Sequence, residues 1–68
     1  MSTLDDQIKS AEQHVQDGRR IVAQQRERIA SGKSFNEAKA LELLHTFERT
    51  LAILEADLAR LLADRDSN

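Results

Sequence analysis

The stretch Ile29-Ala30-Ser31-Gly32-Lys33-Ser34-Phe35-Asn36-Glu37 decides the fold. Within it, Ser31-Gly32-Lys33-Ser34 is the one turn-like cluster between two long periodic segments, and no proline interrupts the chain anywhere. Gly32 suits the residue just past a helix end. The left-handed backbone found there penalises any residue with a Cβ. Ser34 and Glu37 fit a capping box, in which each side chain satisfies an amide of the new helix. One helix is therefore expected over about 3–31, a turn over 32–34, and a second helix over about 35–64. Ser2 or Thr3 can cap the first helix, with Asp5 and Asp6 favouring its positive dipole end.

The flanking segments repeat at helical spacing. Leu4, Ile8, Ala11, Val15, Gly18, Val22, Gln25 and Ile29 alternate by four and three residues. Ala40, Leu44, Phe47, Leu51, Leu54, Leu58 and Leu61 do the same. That is the heptad seam of two packed helices. So short a connection makes the helices antiparallel. The expected fold is all-α, a coiled-coil-like αα-hairpin forming one domain over residues 1–68.

Small residues on the first seam face large ones on the second. Pairing centred on the turn brings together residues whose numbers add to about 66. Gly18 is then expected beside Phe47, Ala11 beside Leu54, and Arg19 beside Glu48. Val15, Gly18, Val22, Phe47, Leu51 and Leu54 are the expected helix–helix packing residues.

A chain of 68 residues without cysteine has no disulfide or thiolate metal site to support so small a core. Association is the remaining aid. Ile21, Leu41, Leu43, Ile53 and Leu62 lie beside or beyond the seams and widen the apolar face toward that of a bundle helix. They are the expected oligomer interface, and two hairpins forming a four-helix bundle is the expected assembly. An unidentified protein partner for the same surplus face is the competing reading.

Ten basic and twelve acidic residues give a net charge of −2. Charge is uneven along the chain: −3 over residues 1–18, +4 over 19–33 and −3 over 34–68. Arg19, Arg20, Arg26 and Arg28 could meet phosphates, but no aromatic residue is interleaved with them, so nucleic-acid binding is the weaker reading. Pairing with carboxylates such as Glu37, Glu42 and Glu48 is the plainer one. No apolar run is long enough to span a membrane, and the acidic start does not resemble a secretory signal. A cytoplasmic location is expected.

Enzymatic chemistry is not expected, and neither is a cofactor. Gly18 and Gly32 are isolated, so no phosphate-cradling loop is formed. Glu42-x-x-His45 is the one metal-like pairing, and Leu44 and Phe47 occupy the core there. His14 and His45 remain as phosphoacceptor candidates for a signalling accessory. The segment His45-Thr46-Phe47-Glu48-Arg49-Thr50 resembles that of histidine-kinase dimerisation domains. It departs from them in carrying Thr46 where an acid is usual, and in lying on the second helix.

Two segments carry a further resemblance. One is His14-Val15-x-x-Gly18, followed by Ile21, Gln25 and Ile29. The other is Ala40-Leu41-x-Leu43-Leu44-x-Thr46-Phe47-Glu48-x-Thr50-Leu51. Together they resemble a group of short, uncharacterised alphaproteobacterial hairpin proteins. The resemblance implies the hairpin fold and no activity. It singles out His14, Gly18, Thr46, Phe47, Glu48 and Thr50. In the expected register His14 is close enough to Thr50 to bond it.

Overall fold

The computed structural model describes residues 3–32 and 36–67. It contains two antiparallel helices, α1 (Leu4–Ala30) and α2 (Glu37–Asp66). The hairpin measures 49 × 18 × 14 Å, so its length is that of a single helix.

Each helix end has a local cause. The Asp6 amide donates to Thr3 Oγ1 (3.1 Å), and the Thr3 amide donates back to Asp6 Oδ2 (3.4 Å). This reciprocal box satisfies two donors that the helix itself leaves unpaired. At the other end of α1 the Ser31 amide donates to the Glu27 carbonyl (2.9 Å) and the Gly32 amide to that of Ile29 (3.1 Å). Gly32 has φ of 71°, the left-handed conformation anticipated for it.

The start of α2 differs from expectation. Asn36 is its cap, with extended backbone, and its Oδ1 accepts from the Lys39 amide at 3.1 Å. Helix two therefore begins at Glu37 rather than Phe35, and Glu37 is its first residue rather than the third. Asparagine caps as well as serine does. The expected roles of Ser2, Lys33, Ser34 and Phe35 lie outside the described residues. The far end of α2 runs to Asp66, two residues past expectation, where the Ser67 amide donates to the Ala63 carbonyl.

The seams meet as heptads. Ile8, Ala11, Val15, Val22 and Gln25 are buried on α1 and Leu61 on α2. Ala40, Leu44, Phe47, Leu51, Leu54 and Leu58 are half-buried. Ile8, Ala11 and Leu61 form a cluster near the chain ends, with Leu4, Leu58 and Leu62 packed on it.

The side-chain register is displaced from the one expected. A Cβ placed on Gly18 would meet Leu51 Cδ1 at 3.1 Å and Leu54 Cδ1 at 3.6 Å, so Leu51 and not Phe47 sits over the glycine. Ala11 clusters with Leu61. Arg19 pairs with Glu55 instead of Glu48. The cause is geometric. Every helical side chain leans toward its own N-terminus. In an antiparallel pair this carries α1 side chains toward higher numbers on α2, and each α2 site is reached by a later residue. Long side chains are displaced most, which is why the ion pairs depart furthest from the backbone register.

Gln25 is the one buried polar residue among those described, 5% exposed. Its Nε2 donates to the Ala40 carbonyl at 3.1 Å across the hairpin. A leucine at position 25 should raise stability by about 1 kcal/mol. Apolar burial (about 1.5–3 kcal/mol when complete) outweighs a net hydrogen bond of about 1 kcal/mol. Urea unfolding of Gln25→Leu checks this, and a clear loss of stability would show the hydrogen bond to dominate.

Candidate functional site

Rows of residues seven apart divide the hairpin into two broad faces. On α2 the row Leu41, Glu48, Glu55, Leu62 runs along one face. Two ion pairs close it: Arg19 to Glu55 at 3.1 Å and Arg26 to Glu48 at 2.7 Å. These pairs are exposed, and each should contribute at most about 1 kcal/mol. Arg26→Ala should accordingly lower stability by no more than that, with the difference fading in 1 M salt. A larger loss in thermal or urea unfolding would show that the pair does more than close a face.

The opposite face is open. A groove of about 320 Å³ is lined by His14, Asp17, Gly18 and Ile21 from α1, and by Phe47, Thr50, Leu51 and Leu54 from α2. Gly18 forms part of its wall, so the side chain missing there keeps the groove deep. Its threonine hydroxyl, on Thr50, is already engaged, as is that of Thr46 one turn earlier. Thr46 Oγ1 donates to the Glu42 carbonyl (3.1 Å) and Thr50 Oγ1 to the Thr46 carbonyl (3.0 Å). Bonding within the helix is the habit of such residues. The Thr50 hydroxyl bonds within its own helix rather than to His14, as was expected, although both residues line the groove. The groove wall is thus largely hydrocarbon.

Toward the chain ends the groove turns polar. A second depression shares His14 and Leu54 and adds Asp6, Gln7, Ser10, Ala11, Asp57, Arg60 and Leu61. Arg60 bonds Asp57 at 2.6 Å. That bond, and then the charges of Asp57 and Asp64, hold the guanidinium above its usual pKa. Toward the turn, a separate depression is lined by Lys39, Glu42, Leu43 and Thr46.

The five expected interface residues do not form one surface. Ile21 (43% exposed) lines the open groove, Leu43 (44%) lines a separate depression with Lys39, Glu42 and Thr46, and Ile53 (69%) lies outside both, three residues beyond Thr50. Leu41 (40%) lies on the ion-paired face. Leu62 shares that row, but is half-buried and packs on the hairpin's own cluster. Of the expected packing residues, Val15 and Val22 are buried, while Gly18, Phe47, Leu51 and Leu54 are half-buried.

Among the other candidates, Arg19, Arg20 and Arg26 are paired with Glu55, Asp17 and Glu48. Three of the four arginines of the basic segment therefore face carboxylates. His45 and Glu42 are exposed, and the described residues hold no cluster of three or more ligands suited to a metal ion. His14 is exposed beside the groove. Among the described residues, no helix is long and apolar enough to cross a membrane. No protein-family model, curated protein or solved structure matches the chain.

Proposed function

We propose that this protein is a non-enzymatic interaction module that works as a homodimer, two hairpins forming a four-helix bundle. The observation that carries this reading is the apolar groove left open along the middle of the hairpin. Surface area supports it. The chain exposes 5384 Å², whereas a folded monomer of 7.7 kDa is expected to expose about 4,300 Å². The excess is roughly 1,000 Å² per chain, so pairing two copies over it would bury roughly 2,000 Å². That is the size of a stable interface. Among the described residues no side chain is less than 2% exposed, in keeping with a core that is only half assembled.

A cytoplasmic setting suits a chain without cysteine, and kinship with short alphaproteobacterial hairpin proteins belongs to the same proposal. Light scattering on a sizing column at about 50 µM tests it. A mass near 15 kDa is expected, and 7.7 kDa would contradict it.

A second reading, a phosphoacceptor accessory, draws support from His14 standing exposed in the groove. Incubation with a small phosphoryl donor such as acetyl phosphate should then yield an acid-labile phosphohistidine that His14→Gln abolishes. No label on the wild-type chain would remove this reading.

A further inference from the structure

Resting on the homodimer reading, we propose that the second copy covers the His14–Ile21–Phe47–Leu54 face, with its turn at the opposite end. The two faces of the hairpin are not equivalent. One carries Arg19–Glu55 and Arg26–Glu48 across its middle. Stacking a second hairpin there would strip water from four charges already satisfied by one another and by solvent, a costly desolvation. The other face presents Ile21, Phe47, Leu54 and Thr50, whose hydroxyl already donates to the Thr46 carbonyl. Covering that face removes mostly hydrocarbon from water, and its one carboxylate, Asp17, keeps Arg20 as its partner, against two cross-helix ion pairs on the other face.

The groove also lies where a two-fold contact needs it. Asp17 and Leu51, the middle residues of α1 and α2, both line it. A two-fold axis through this point overlaps the two hairpins along their whole length in either direction. Charge selects the direction. The turn half, residues 19–48, holds six Lys or Arg against four Asp or Glu. The open end, residues 1–14 and 55–68, holds three against seven. With turns at the same end, like would lie on like. With turns at opposite ends, the basic half of each copy lies on the acidic half of the other, which favours encounter and orientation. This arrangement packs α1 on the second copy's α1 and α2 on its α2. The antiparallel neighbours on every side are those of a four-helix bundle.

The test uses the full chain. In sedimentation equilibrium, Ile21→Glu should raise the dimer dissociation constant at least about 100-fold, since the substitution occurs twice in one apolar contact. Leu41→Glu, on the ion-paired face, should change it less than about threefold. The reverse pattern would overturn the assignment of the face and leave the homodimer standing. A wild-type chain that stays monomeric at 100 µM would overturn the homodimer itself and this inference with it. Direction is read separately, on a background that needs no interface variant. The chain has no cysteine, so Ala30→Cys accepts a single spin label near the turn. Opposed turns put the two labels about 40 Å apart, and turns at one end put them within about 20 Å. The shorter distance would overturn the proposed direction.

Discussion

Ile8→Asp should leave the chain mostly unfolded at 25 °C. Ile8 is 3% exposed and lies in the cluster with Ala11 and Leu61, walled by Leu4, Leu58 and Leu62. The substitution removes about 1.5–3 kcal/mol of apolar burial. It also places a carboxylate where no cation can reach it from the same helix face. The residues one turn away on either side are Asp5 and Glu12, of the same sign. An unpaired buried charge adds a penalty of several kcal/mol. A core of this size supplies only about 3–5 kcal/mol in total. Far-UV circular dichroism at 222 nm reads the outcome. Ile8→Val, expected to cost about 0.5–1.5 kcal/mol, controls for packing. Wild-type helicity and melting in Ile8→Asp would show that the end cluster does not hold the hairpin together.

The second large effect is on the melting temperature of the unaltered chain. If folding and pairing are one process, dilution should destabilise the protein. A hundredfold rise in concentration, from 5 to 500 µM, changes the free energy by about 2.7 kcal/mol per dimer. With an unfolding entropy of about 2.1 cal/mol/K per residue, that moves the midpoint of a dimer this small upward by about 10 °C. Calorimetry across that range checks it. A midpoint independent of concentration would mean that the hairpin folds alone, on the few residues it buries by itself.

Much of the fold was legible before any coordinates, for reasons that individual residues make plain. The two alternating four-and-three seams leave no period but a helical one. Gly32 is the only glycine outside them, so the position needing positive φ was unambiguous. Thr3 stands just ahead of Asp5 and Asp6, which marks a helix start from charge and capping together. The start of α2 was harder, because Ser34 and Asn36 are both good caps two residues apart. The capping-box pattern favoured Ser34, whereas Asn36 needs no partner glutamate to bond the Lys39 amide.

Register was the larger miss. Counting outward from the turn aligns backbones, but the contacts are made by side chains that lean toward helix starts. Gly18 therefore receives Leu51 rather than Phe47, and Arg19 reaches Glu55. The surplus apolar residues were recognised as surplus without being sorted by face. The signal was available: Leu41 and Leu62 stand seven residues from Glu48 and Glu55, which places them on the row of the ion pairs. Ile21 stands seven from His14, on the other side. The bond from Gln25 to Ala40 had no sequence signature beyond a polar residue in an apolar seam. The engagement of the groove's Thr50 hydroxyl depended on how that residue bonds within its own helix.

The most direct test is to ask which methyl groups a second copy hides. Methyl NMR with a soluble paramagnetic probe, at 1 mM, reads the exposure of each one. The methyls of Ile21 and Leu54 should be protected, while those of Leu41 keep their full enhancement. Enhancement at Ile21 as strong as at Leu41, or protection of Leu41 in place of Ile21, would contradict the account.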